Sequence, residues 1–449
     1  MPLSPFESSH GQKMRIFFEC SDTATNHIKT GIQRVVRNVI LHLESVSREL
    51  GVEAKPARLS LNQFYYFKWI PASDEFSFYA RFLRKYKINF SPKIVNENLI
   101  SKIHKFKTRV KRTFRFRKAR KYTRSLYYKL FEKPLTPCPS DLMVLLDASW
   151  EIHFESAVKL WQAQGGKIAY VIYDILPITH PHFFSASLVH RYTRWFDFVC
   201  KNADLLLTIS VTVRDQLRET LKQINRDTTM GPLRIEAFPL GAHLDMQQAD
   251  GYIRPHLLRT LSVTSGPAPY LMVGTVEPRK NHLTVLKAFD ELWKQGEQVR
   301  LFIVGKVGWE CREIERTIRE HPELHRRLFW FTDLSDTELH QCYKSARCVI
   351  FASWGEGFGL PIVEGLQFGC PVIASDLPVH REVAGNFAAY FNPTCSAELV
   401  SMIGQLEAEG TLPGLSPRDQ FRATSWREGV TDLVNHCLKS FSQSTSSPL

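Results

Sequence analysis

Unbroken apolar runs of strand length alternate with helix-period segments along this chain, and that rhythm leaves few folds open. Residues 14–20 (MRIFFEC) form such a run, and a polar loop leads to Gly31. IQRVVRNVILHLESV follows, with apolar residues at Ile32, Val35, Val36, Val39, Ile40 and Leu43, the helical period. The series resumes with LMVLLD (142–147), a helix near 155–164, KIAYVIYD (167–174), a helix near 185–201 and DLLLTIS (204–210). Strands that are apolar throughout, rather than at alternate residues, are covered on both faces, so these predict a parallel sheet between layers of helix.

Residues 241–269 break the rhythm and end in a Gly/Pro cluster, as a linker does. A second series then begins with YLMVG (270–274), a helix from about His282, VRLFIVG and LFWFTD, and continues through CVIFAS, the short helix of PIVEGLQF, PVIAS and AAYFN. The expected fold class is α/β, two Rossmann-like doubly wound domains facing each other across a cleft. The first spans 1–240 with an insertion over 81–135, the linker 241–269 and the second domain 270–415. A closing helix over 416–441 carries Trp426, Val430, Leu433 and Val434 on its apolar side.

The chain has 449 residues, 44% of them hydrophobic and 23% charged, enough for full cores and too apolar for disorder. No run approaches the ~18 apolar residues that a membrane-spanning helix needs, and MPLSPFESSHGQK has no apolar core of a secretion signal. The nine cysteines are scattered without a C-x-x-C pair, which predicts reduced thiols in a cytoplasmic protein and no zinc site.

Charge is concentrated in one place. Residues 101–133 hold 14 of the 58 Lys and Arg but one of the 45 acids, Glu132, so the rest of the chain carries 44 of each sign. Aromatics (Phe106, Phe114, Phe116, Tyr122, Tyr127, Tyr128, Phe131) interleave with these cations. The mixture suits an anionic membrane surface, where each Lys or Arg is worth about 1 kcal/mol and aromatics settle at headgroup level. Single-stranded nucleic acid is the competing partner and a plain solvated basic segment the bland alternative; the membrane surface is preferred, with no nucleic-acid partner.

Doubly wound sheets bind ligands at the carboxyl ends of their strands. Two segments there carry chemistry. In Glu356-Gly357-Phe358-Gly359-Leu360-Pro361-Ile362-Val363-Glu364, Pro361 fits the first turn of a helix and Gly369 lies just past its end. Such a turn offers backbone N–H groups and a positive helix end to a phosphate or diphosphate, while Gly357 and Gly359 keep side chains out of the way. Glu356 and Glu364, eight residues apart, are natural acceptors for sugar and ribose hydroxyls. In Val273-Gly274-Thr275-Val276-Glu277-Pro278-Arg279-Lys280-Asn281, Gly274 lets the chain turn close to a ligand, and Arg279 and Lys280 can neutralise a diphosphate. The ligand expected is a nucleotide sugar.

EGFGLPIVE, the downstream SDLPVHREVAG (375–385) and VGTVEPRKN together resemble the retaining family-4 glycosyltransferases of GT-B fold. A looser resemblance in the first domain rests on TGIQRVVRN (30–38), YDILPITHP (173–181) and ADLLLTIS (203–210). The resemblance implies transfer of a sugar from a nucleotide donor with retention of configuration and without an obligatory metal or other cofactor. It implies that the closing helix over 416–441 crosses back to the first domain. It implies that Glu356 contacts the donor sugar and Glu364 the ribose, and that Gly357, Phe358 and Gly359 bind the donor's phosphates through their backbone, with Leu360 also in the donor site. Arg279 and Lys280 would hold the diphosphate beside Gly274, Gly31 would sit under the donor, and Asp174 would face the reaction centre as a catalytic residue. Taken as residues alone, Asp174 is also a helix cap or turn residue, and Gly31 a plain strand-to-helix turn. Many family members have Gly-Arg where this chain has Gly274-Thr275, Lys-Gly where it has Lys280-Asn281, and histidine where it has Tyr173; His153 and His180 are the nearest candidates for the usual first-domain histidine.

The resemblance, taken with the basic aromatic segment, implies a hexosyltransferase, cytoplasmic and peripheral on the inner face of the membrane, that builds bacterial polysaccharide such as O antigen. GDP-mannose is the favoured donor over a UDP- or dTDP-sugar, and the acceptor is a saccharide or a polyprenyl-diphosphate-linked saccharide. The alternative is a non-catalytic nucleotide-sugar-binding or membrane-docking protein on the same fold.

Overall fold

The computed structural model describes residues 14–25, 31–60, 62–66, 134–224, 233–242, 251–262 and 266–442. The basic aromatic stretch 101–133, and with it nearly all of the expected insertion 81–135, lies outside the described residues. By its internal contacts the chain divides into two compact units, residues 1–168 and 169–449.

In the first unit the strand order is β3-β2-β1-β4, with β1 Arg15–Glu19, β2 Glu53–Ser60, β3 Gln63–Tyr66 and β4 Leu142–Leu145. β1 runs parallel to both neighbours, Ile16 opposite Ala54 on one side and Leu142 on the other, while β3 returns antiparallel to β2. Of the apolar positions that predicted this helix, Gly31–Leu50, Val35, Val36, Val39, Ile40 and Leu43 are buried, while Ile32 is half-buried. Gly31 opens that helix rather than lying in the preceding loop, and a five-residue helix, Ser21–Thr25, precedes it.

The second unit takes up β5 (Lys167–Ile172) from Ala169 onward and runs parallel through β6 (Leu205–Thr208) to β7 (Arg234–Ala237). It also holds a six-stranded parallel sheet, β8 Tyr270–Val273, β9 Leu301–Val304, β10 Leu328–Phe331, β11 Cys348–Phe351, β12 Val372–Ser375 and β13 Ala389–Phe391, in the order β10-β9-β8-β11-β12-β13. Both faces of this sheet are covered, which is why its strands read as continuous apolar runs. Tyr270, Met272, Ile303 and Ile350 pack with Phe289, Trp293, Leu399 and Ile403 in one core cluster. Leu271, Phe302, Val349 and Phe351 pack with Ile362 and Leu366 in another. Tyr270 and Met272 thus share a face that Leu271 does not, as the two-residue strand period requires.

The segment expected as a linker is not all irregular. Helix Pro255–Leu261 places Leu257 and Leu261 in the core with Leu271 and Phe302. Arg300 bonds the end of this helix and the start of the approach to β8, donating from Nη1 to the Thr260 carbonyl (2.8 Å), from Nε to that of Pro267 (2.6 Å) and from Nη2 to that of Gly266 (3.1 Å). The final helix, Trp426–Ser442, buries Trp426, Val430, Leu433 and Val434, and its first turn packs on residues 239–242, where Ala242 N–H donates to the Thr424 carbonyl. All nine cysteines are free thiols. Among the described residues no helix is long and apolar enough to cross a membrane.

The strand order reverses between β8 and β11, so the loops leaving these neighbours, 274–281 and 352–359, diverge at a topological switch point. A crevice opens at such a point because the two connections run to opposite faces of the sheet.

Candidate functional site

Backbone geometry brings the two loops together. After β8, Gly274 takes φ of +153°, and a Cβ there would sit 3.4 Å from Lys280 Cε. A 3-10 turn over Pro278–Lys280 then ends at Asn281, whose φ of +59° starts helix His282–Lys294 in a new direction. The N–H of Trp354 donates to the Arg279 carbonyl (2.8 Å), tying this turn to the loop after β11.

Here the expected residues meet. Arg279 Nη1 lies 2.7 Å from Glu356 Oε2, Lys280 Nζ pairs with Glu356 Oε1, and Arg279 Nη2 lies 2.6 Å from Glu277 Oε1. Arg279 also donates to the Gly355 carbonyl at 2.9 Å. The side chains of Glu356, Lys280 and Arg279 are only 10, 12 and 14% exposed, so the charges act through a poorly screened medium. Burial pushes the Glu356 carboxyl up, but the Coulomb field of Arg279 and Lys280 outweighs it and holds the group well below the usual carboxylate range. Burial lowers Lys280 against the pull of Glu356, while Arg279 is raised because Glu356, Glu277 and Asp174 together overcome its desolvation. Glu277 is raised by burial, opposed by Arg279 and Lys280.

Asp174, just past β5, joins the same electrostatic group. Burial raises its pKa, Arg279 opposes that rise, and Glu356 adds to it. Its Oδ1 also accepts from the Leu176 N–H (3.0 Å), and its carbonyl accepts from Tyr192 Oη (2.5 Å). The turn-residue role and the exposure to the cationic pair therefore coexist in one side chain.

The loop 355–359 is glycine-rich for reasons of contact and conformation. A Cβ on Gly357 would lie 1.9 Å from the Tyr173 carbonyl oxygen, and the Gly357 carbonyl accepts from Ser210 Oγ (2.8 Å). Gly359 takes φ of +104° at the cap of helix Leu360–Gln367, in which Pro361 occupies the first turn. The N–H groups of Gly357, Phe358 and Gly359 have no hydrogen-bond partner among the described residues. Phe358 and Leu360 are half-buried beside them. Beneath the turn, buried His380 donates from Nδ1 to the Ser375 carbonyl (2.8 Å), since a carbonyl only accepts. Burial lowers its pKa and leaves Nε2 without a partner.

Glu364 is not solvent-facing on the short helix. It is 1% exposed, and its Oε2 accepts from the Tyr343 hydroxyl at 2.6 Å. Gly31 and His153 belong to the first unit, Gly31 at a helix start and His153 exposed. His180 follows the short helix after Asp174, bonded to Thr179 Oγ1 (2.9 Å), with its pKa lowered by burial and by His182.

Both departures from the family pattern after β8 now have a structural context. Asn281 stands in the left-handed region, where Asn is among the few non-glycine residues tolerated, and its side chain donates to the Pro393 carbonyl (2.9 Å). Thr275 supplies no guanidinium, and Arg279 is the arginine in the cluster. The residues packed into or against this cluster and its loops that sequence reasoning did not single out are Glu277, Ser210, Tyr343 and His380. Glu277, His380 and Ser210 lie inside the segments VGTVEPRKN, SDLPVHREVAG and ADLLLTIS, so their position was available as a signal. Tyr343 had none.

Residues 260–413 match the family model described as glycosyl transferases group 1. The chain is 32% identical over 275 residues to the serotype-specific mannosyltransferase WbdA of Escherichia coli, covering 61% of this chain and 34% of that protein. It is 24% identical over 236 residues to the O-antigen chain mannosyltransferase RfbU of Salmonella typhimurium, covering 53% of this chain and 60% of that one. The chain thus spans about a third of the length of the WbdA relatives it matches. Among solved structures, an alpha,alpha-trehalose-phosphate synthase (UDP-forming) from Burkholderia vietnamiensis superposes with a TM-score of 0.59 at 12% identity, over 97% of this chain and 98% of that one. The fold is therefore GT-B, and residues 260–413 are the part of it similar to group 1 glycosyl transferases.

Proposed function

We propose that this chain is a retaining glycosyltransferase of the family-4 kind, moving a hexose from a nucleotide sugar to a saccharide or polyprenyl-diphosphate-linked acceptor in cell-surface polysaccharide assembly. The observation that carries this is the buried Arg279–Lys280–Glu356 cluster beside three backbone N–H groups, at 357–359, that have no partner among the described residues. Backbone amides and cations close to one another in the loops after β8 and β11 would stabilise a departing diphosphate more than the intact donor, which is what lowers the barrier. The acceptor hydroxyl attacks from the face the diphosphate leaves, oriented by that leaving group, so no protein nucleophile is required. Glu356 exchanges its cations for the donor sugar, Glu364 takes the ribose, and Asp174 borders the reaction centre.

Mannose, as GDP-mannose, is the favoured sugar, supported by the names of the WbdA and RfbU relatives. The chemistry proposed needs no metal. Residues 101–133 hold the enzyme on an anionic membrane surface, on the cytoplasmic side where nucleotide sugars are supplied; what supports this is their concentration of cations and aromatics. The test is incubation of the purified chain with GDP-mannose, UDP- and dTDP-sugars and lipid-linked acceptors. Product with retained anomeric configuration is the expected result. Donor binding without product, with acceptor present, would favour a non-catalytic binding protein instead.

A further inference from the structure

Ser210 ends the apolar run DLLLTIS, is 3% exposed, and caps helix Val211–Gln223 by accepting from the Val213 N–H at 3.2 Å. Its hydroxyl proton goes elsewhere, to the Gly357 carbonyl 2.8 Å away. With a donor on its oxygen and an acceptor for its proton, this hydroxyl has one orientation. The carbonyl it holds belongs to the same peptide plane as the Phe358 N–H. In a planar trans peptide the C=O and N–H point in opposite directions, so fixing one aims the other. The near approach of Gly357 to the Tyr173 carbonyl, where a Cβ would lie at 1.9 Å, pins that plane from the other end. The Phe358 N–H is left pointing away from Ser210 with no partner among the described residues.

We infer that Ser210 is a positioning residue for donor binding: by holding the Gly357 carbonyl it turns the Phe358 N–H toward an oxygen of the donor's diphosphate. This rests on the donor-binding reading proposed above. Glu382 accepts from the N–H groups of Val211 and Thr212 (2.7 Å each) and from Thr212 Oγ1 (2.6 Å), bonds that support the start of the same helix but involve neither the Ser210 hydroxyl nor Gly357. Glu382 makes no contact with the 355–359 loop in these bonds, which makes it a control for stability alone.

The experiment is calorimetric titration of GDP, UDP and dTDP into the full chain and into Ser210→Ala, Ser210→Thr and Glu382→Ala, with a thermal melt of each. For whichever diphosphate the unaltered chain binds, Ser210→Ala is expected to weaken affinity roughly tenfold, equivalent to about 1.4 kcal/mol. Ser210→Thr, which keeps the hydroxyl, is expected within about threefold of the unaltered chain, a difference of about 0.7 kcal/mol. Glu382→Ala is expected to lower the melting temperature as Ser210→Ala does, yet leave affinity unchanged. Equal affinity of Ser210→Ala and the unaltered chain, or equal losses in Ser210→Ala and Glu382→Ala, would overturn the inference. If the unaltered chain binds none of the three, the donor-binding reading itself fails and takes the inference with it.

Discussion

Glu356 holds two cations at once, and its charge is what the site is built around. Glu356→Gln removes that charge without changing shape; turnover with the correct donor is expected to fall at least about a hundredfold, the order seen when one transition-state contact is lost, while the far-UV spectrum stays unchanged. Near-normal turnover would remove the role assigned to Glu356. At Gly357 the constraint is steric. Gly357→Ala would press a methyl group against the Tyr173 backbone oxygen, at a cost of about 1–3 kcal/mol in urea unfolding. Gly355→Ala would meet the Leu176 Cδ2 at 2.7 Å, the end of a flexible side chain, and is expected to cost less. In the first unit, buried Glu19 accepts from the Ser21 N–H with one oxygen, and its other oxygen has no partner among the described residues. Burial, then the nearby Asp147 charge, lifts its pKa from 4.5 to about 8. A carboxyl raised by folding stabilises the fold fully below its unfolded pKa, and that contribution drains away as pH climbs through the folded value. Glu19→Gln is therefore expected to flatten the decline in urea midpoint from 4.5 to about 8; an unchanged slope would locate the pH dependence elsewhere.

At the scale of elements, the site depends on how the 3-10 turn Pro278–Lys280 hands over to helix His282–Lys294. The left-handed Asn281 makes the joint, at a conformational cost of about 1–2 kcal/mol offset by its side-chain bond to Pro393. Asn281→Gly exchanges one term for the other. Stability is expected to stay within about 1 kcal/mol and turnover within a few-fold, whereas Asn281→Val, branched at Cβ, has neither compensation and is expected to lose both. Most strands and helices here were legible in the sequence, since apolar runs such as CVIFAS are what strands covered on both faces must contain. The helix Pro255–Leu261 was not, because Leu257, Leu258 and Leu261 are too short a pattern beside the surrounding Gly and Pro residues. Gly31 was read as the end of the loop and is the first residue of the helix, for a similar reason: helix ends are set by a local balance of capping that periodicity does not report.

For the whole molecule, a donor that binds only the folded chain must raise its melting temperature by mass action. At a hundredfold excess over Kd the gain is about 2.7 kcal/mol. GDP-mannose is expected to produce a larger thermal shift than UDP- or dTDP-sugars at equal concentration. A larger response to one of those would change the sugar nucleotide assigned while leaving the fold and the cation cluster intact.

The order of apolar runs determined the doubly wound architecture, because burial on both faces admits only such strands, and the spacing within EGFGLPIVE and VGTVEPRKN marked the chemistry-bearing loops. Tertiary structure alone decided which side chains share a charge environment. Asp174 and Arg279 lie more than a hundred positions apart, and Coulomb coupling depends on distance in space. The same holds for Glu364, whose burial against Tyr343 comes from the packing of helix Asp336–Ser345, and for Ser210, whose partner Gly357 no local pattern could name. A hydroxyl at a helix start reads from sequence as a cap. That it also orients a distant peptide is a consequence of the fold.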